Sequence, residues 1–76
     1  MKLLRTREVL KILEDKMGWE IPYVTWWSWH NKFGIAVPVK RDRTHFYFEP
    51  KQVKEIIERL RWLHNQRMIT IRLKKL

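Results

Sequence analysis

Between Ile21 and Phe48 the chain reads IPYVTWWSWHNKFGIAVPVKRDRTHFYF, and this stretch limits the possible folds more than any other. Pro22 suits the first position of a helix, where its missing N–H costs nothing, and Gly34 suits the left-handed residue that ends one. Pro22, Trp26, Trp29 and Phe33 then fall on one stripe, as a core-facing helix requires. Val24, Trp27, Ser28 and Asn31 lie on the opposite side, with Lys32 at its margin. Trp26 and Trp29 are therefore expected inside and Trp27 outside. Beyond the glycine, Val37, Val39 and Arg41 alternate with Pro38 and Lys40, and the run from Thr44 to Phe48 is rich in strand formers. With Asp42 and Arg43 as a short polar turn, the two runs predict a hairpin, and Pro38 confines the first to a sheet edge.

The flanks are helical in pattern. Thr6 is placed as the N-cap of a first helix, with Glu8 in its first turn; Val9, Ile12, Leu13 and Met17 follow at helical spacing, and Gly18 stops it. Glu49 and Pro50 open a third helix, whose stripe is Val53, Ile56, Ile57, Leu60 and Leu63. The tail MITIRLKKL fits two patterns. Ile69, Ile71 and Leu73 alternate as in a strand, whereas Thr70 as a cap with Ile69, Leu73 and Leu76 makes a short helix; the helix is the reading preferred.

Seventy-six residues make one domain with a small core. Without cysteine, neither a disulfide nor a thiolate metal site can staple it. The charged start, MKLLRTREVL, does not read as a signal peptide, and no apolar run is long enough to span a bilayer, so a soluble, cytoplasmic protein is expected. Seventeen Lys and Arg against eight Asp and Glu leave +9, an excess that suits a nucleic-acid binder but would also suit an anionic membrane. The surplus is uneven: residues 1–20 hold five basic and four acidic side chains, residues 21–48 four and one, and residues 49–76 eight and three. His30, His45 and His64 have no metal-ligand spacing, two glycines cannot form a phosphate-cradling loop, and no nucleophile–base order stands out, so no enzyme activity, metal or cofactor is expected.

A short helix, a sharp stop and a basic hairpin outline a winged helix-turn-helix: mainly α with a small β-hairpin wing. Its parts are the helix-turn-helix at 6–34, the wing at 36–48, the third helix at 50–66 and a tail, 67–76, that starts a fourth helix. The order resembles the DNA-binding domain of the MerR-type regulators and the related phage excisionases. That family's helix motif, roughly T-L-R-Y-W before a Gly-Leu stop, is matched in outline by Thr25, Trp26, Trp27, Ser28 and Trp29 before Gly34-Ile35. Tyr47 and Phe48 match the aromatic pair that ends the family's wing, and TIRLKKL looks like the start of its fourth helix. Trp27 and Ser28 stand where the family keeps arginine and tyrosine, Phe46 replaces its wing arginine, and the link from Glu14 to Ile21 is longer than usual.

The resemblance implies binding to double-stranded DNA, as a transcription regulator or an excisionase-like architectural factor. The second helix would enter the major groove, offering Tyr23, Val24, Thr25, Trp27, Ser28, Asn31 and Lys32. Asn31 can pair with adenine or, late in the helix, reach only phosphate. Lys40, Arg41, Arg43 and His45 at the wing tip would hold phosphate or the minor groove, and Arg5, Thr6 and Arg7 the backbone on the other side. Full regulators of this type add a dimerising coiled coil and an effector domain. The chain is thus either a domain of a longer protein or a complete factor acting as a homodimer or cooperative assembly on DNA, with no small-molecule ligand. The competing reading is a protein-interaction module anchored on an exposed Trp27.

Overall fold

The computed structural model describes residues 2–74. Its elements run β1 (Leu4–Arg5), α1 (Thr6–Met17), β2 (Trp19–Glu20), α2 (Tyr23–Phe33), β3 (Lys40–Arg41), β4 (Phe46–Phe48), α3 (Gln52–Asn65) and β5 (Arg72–Leu73). Three helices thus pack with a small antiparallel sheet in the order β1-β4-β3, and a second ribbon pairs β2 with β5.

Alternating apolar positions explain why these elements meet. Val9 and Leu13 of α1, Trp26 of α2, Phe48 of β4 and Ile56, Leu60 and Leu63 of α3 close one core, with Ile35 just beyond the α2 stop. Trp26 is fully buried and meets Phe48 edge to face, ring centroids 6.3 Å apart. Trp29 and Phe33 pack half-buried against the same cluster. Pro22 leaves the expected stripe: it is the exposed residue before α2, and its carbonyl accepts the Trp26 N–H at 3.0 Å.

Thr6 is not the N-cap of α1. Arg5 is still extended because it pairs with Tyr47 in the sheet, so the helix can begin only at Thr6. The Arg5 N–H donates to the Glu8 carboxylate (3.2 Å), while the Thr6 side chain is buried and its hydroxyl has no partner among the described residues. Gly18, at φ 68°, closes the helix by donating its N–H to the Glu14 carbonyl.

The hairpin turn lies one residue further along than the sequence reading places it. Arg41 pairs with Phe46, and the Asp42 N–H donates to the His45 carbonyl at 2.8 Å, so Arg43 and Thr44 form the turn in place of Asp42 and Arg43. Neither takes a positive φ, so the turn is not of the mirror-image type that most tight hairpins use. The Asp42 carboxylate accepts the Arg43 N–H instead. β3 is an edge strand, as Pro38 requires, and β1 supplies the third strand on the far side of β4.

The third helix begins at Gln52, two residues later than expected, because Pro50 and Lys51 make a turn before it. After Asn65 the chain reverses through Arg67, at φ 61°; the Arg67 N–H donates to the His64 carbonyl and the Met68 N–H to that of Leu63. This is a Schellman ending with arginine where glycine is usual. The tail then runs extended, with Ile69 and Ile71 buried and Leu73 exposed. No fourth helix forms among the described residues; Trp19 pairs with Leu73 and Glu20 with Arg72, and Lys75 and Leu76 lie outside them. The long link after α1 has the same cause, since it supplies β2. Lys74 completes the joint: its N–H donates to the Gly18 carbonyl (2.7 Å), and its ammonium pairs with Glu14 (2.9 Å). No helix among the described residues is long and apolar enough to cross a membrane.

Candidate nucleic-acid interface

The hairpin lies along one flank of α2, and aromatic side chains fill the joint. Phe46 of β4 meets Trp27 at 4.8 Å and His30 at 5.6 Å between centroids, and Trp27 also meets Tyr23 and His30 edge to face. The expectation for Trp27 therefore needs correction. It is half-buried against the core rather than free in solvent. Val24, Ser28, Asn31 and Lys32 on the same side are exposed, and the hairpin covers the part that holds Trp27. Phe46 was the available signal, because an aromatic residue at an exposed hairpin position needs a surface to cover.

What α2 leaves open is a narrower stripe. Val24 is 78% exposed, Ser28, Asn31 and Lys32 are exposed, and Thr25 is half-buried beside them. One helical turn brings residues three and four apart onto one face, so Val24, Ser28 and Asn31 line up. The stripe holds no carboxylate.

Two clefts lie beside α2. One, of about 180 Å³, is lined by Arg5, Thr6, Arg7, Tyr23, Thr44, His45 and Phe46. It brings the start of α1, the first residue of α2 and the hairpin turn together. Arg7 holds its guanidinium 4.9 Å from the Tyr23 ring centre, a cation–π contact that orients the charge outward from a half-buried platform. Thr6 contributes only to the wall, since its side chain is buried; the backbone-contact role given to it does not survive. The second cleft, about 260 Å³, lies between α2 and the hairpin, lined by Trp27, His30, Asn31, Val37, Pro38, Arg41 and Phe46.

The hairpin cations are held in the same manner. Arg41 stands over Phe46 at 4.9 Å and Lys40 over Tyr47 at 5.5 Å. Arg43 is exposed in the turn, and His45 is half-buried, its ring tilted against Tyr47 and bonded to the Thr44 hydroxyl at 2.9 Å. Exposed Arg5 and Arg7 line the first cleft and exposed Arg41 the second, while Lys40, paired with Tyr47, lies on the sheet face opposite Arg41 and Phe46.

His30 was not among the expected site residues, because it falls between the inward and outward stripes. It stacks on Trp26 (6.3 Å) and its Nδ1 is buried without a partner among the described residues. Burial, and next the charge of Arg41, push its pKa below the ordinary histidine value. His64 lies apart from the clefts, at the end of α3, where its Nδ1 faces the Ile71 N–H at 3.4 Å. Among the described residues no three His, Asp or Glu side chains cluster as metal ligands would. No protein-family model, curated protein or solved structure matches this chain.

Proposed function

We propose that the chain is a winged helix-turn-helix domain of the MerR/excisionase type that binds double-stranded DNA. In this reading α2 enters the major groove, the β3–β4 hairpin is the wing on the backbone or minor groove, and Arg5 and Arg7 hold the strand at the other end. The observation that carries it is the open stripe Val24, Thr25, Ser28, Asn31 and Lys32, free of carboxylates, with exposed Arg41 on the hairpin and exposed Arg5 and Arg7 at the start of α1 lining the clefts beside α2, and Lys40 and Arg43 adding exposed charge to the same hairpin. A helix of 11 residues with short polar side chains on its open face can follow a groove edge. Cations set on aromatic platforms meet phosphates without first having to be ordered. β1 supports the reading by tying the wing to the first helix through Arg5–Tyr47 pairing. Whether such a domain regulates transcription or bends DNA for recombination follows from the sites it selects. A protein-docking role for Trp27 draws less support, because the ring is already packed under Phe46.

The test is selection from random duplexes, followed by binding of variants to the recovered sequence. Thr25→Ala and Ser28→Ala are expected to change which sequences are preferred, while Arg43→Gln weakens binding to all sequences alike. Failure to enrich any duplex, with binding unaffected by salt, would end the DNA reading.

A further inference from the structure

The cleft between α2 and the hairpin has a composition that general phosphate attraction does not explain. Its walls are the rings of Trp27 and Phe46 with Val37 and Pro38, and its polar groups are Asn31, His30 and Arg41. No carboxylate lines it, and the nearest in sequence, on Asp42, is occupied by the Arg43 N–H at 2.6 Å. Among the described residues the ion pairs are Lys2–Glu8, Lys51–Glu49 and Lys74–Glu14, so Arg41 pairs with no acid there. Its guanidinium is instead oriented by the Phe46 face, which leaves its N–H fork free for a planar or tetrahedral anion. The volume, about 260 Å³, falls below the roughly 300–1,000 Å³ of pockets that enclose a whole small molecule. A fragment with one anionic end and one apolar side fits this shape.

Asn31 marks where that fragment would lie. It is the ninth of the 11 residues of α2, about 12 Å along the axis from Tyr23. A recognition helix that enters the groove by its N-terminal turn has, at that distance, left the base edges for the bordering strand.

We propose that this cleft seats a single phosphodiester unit of one DNA strand, its phosphate on Arg41 and Asn31 and its deoxyribose against Trp27, Phe46 and Pro38. Asn31 then positions the helix rather than reading adenine, and sequence discrimination falls to the first two turns of α2. The assignment rests on the DNA reading above.

The experiment uses a selected duplex in which one phosphate at a time is replaced by an uncharged methylphosphonate. In the wild-type protein, one linkage in each bound site is expected to cost roughly tenfold or more in affinity when neutralised. At that linkage Arg41→Gln should cut the cost to about twofold or less, since the phosphate charge no longer meets a cation there, and Asn31→Ala should lower it in part, since Arg41 remains. Arg43→Gln weakens binding but leaves the cost at that linkage in place. If every sensitive linkage keeps its full cost in both variants, the cleft holds no phosphate and the proposal fails while the DNA reading stands. Absence of binding to any duplex removes the reading itself. Titration with a free deoxynucleoside monophosphate, followed by tryptophan fluorescence, separates the remaining source. Saturation at micromolar concentration that is lost in Arg41→Gln makes the cleft a mononucleotide pocket and overturns the phosphodiester assignment.

Discussion

His30 is held among Trp26, Trp27 and Phe46 with its Nδ1 buried and Arg41 nearby, an environment that disfavours the imidazolium. Its folded-state pKa is therefore lowered relative to the unfolded chain. Above the unfolded value both states hold a neutral ring and pH has no effect through this residue. As pH falls through that value the unfolded chain gains the proton first, so stability is lost until the lowered folded pKa is reached. Wild-type Tm should thus fall between pH 7.5 and pH 5.5, and His30→Gln should flatten that slope; equal slopes in the two proteins would dismiss the aromatic box as its origin. Arg67 offers the opposite kind of residue effect. Its φ of 61° is costly for a side chain with a Cβ, and it has the glycine position of a Schellman ending. Arg67→Gly is expected to gain about 0.5–1 kcal/mol, after the greater freedom of glycine in the unfolded chain is subtracted, or a Tm rise of about 3–6 °C.

The hairpin is fastened to the third helix by one amide. Gln52 accepts the Glu49 N–H on its Oε1 (2.8 Å) and donates its Nε2–H to the Val37 carbonyl (2.8 Å), so a single side chain ties the turn before α3 to the segment leading into the hairpin. Gln52→Ala should cost about 1–2 kcal/mol in urea unfolding with an unchanged m value. Gln52→Glu, which keeps the acceptor and loses the donor, should fall between. Elements of this size are unevenly legible in a sequence. The stripes of α1 and α3 could be read because Val9 and Leu13, or Val53, Ile56, Leu60 and Leu63, repeat at a helical period long enough to exclude the alternative. β1, β2 and β5 could not, since two residues carry no period and their pairing is decided by what lies opposite. The tail shows the limit most plainly: Thr70 as a helix cap and Ile69–Ile71 as strand alternation are equally good local patterns. The unpaired edge of Trp19–Glu20 chose between them.

At the scale of the whole molecule, the candidate face is assembled from three separate segments, and the sequence revealed the members better than their support. Lys40, Arg41, Arg43, Arg5 and Arg7 were recognisable as surplus charge. That Phe46, Tyr47 and Tyr23 carry three of them as platforms depended on which rings the fold turns toward which cations. Packing against Phe46 half-buries Trp27 as one wall of a cleft, and burial removes Thr6. Five exposed cations then remain on the hairpin and the start of α1, and their number fixes how binding must respond to salt. If each neutralises one phosphate of duplex DNA, the slope of log affinity against log salt is about −4.5, or roughly a 500-fold loss between 50 and 200 mM. Arg43→Gln should reduce the slope by about 0.9, because it removes one released counterion, and it should do so equally on selected and unselected duplexes. Lys54→Gln, which removes an exposed cation from α3 rather than from the three segments of the face, should leave the slope unchanged. A slope that falls by the same amount in both variants would mean that the chain attracts DNA by net charge alone, with no docked orientation, and the assignment of α2 and the hairpin as the contacting elements would be lost.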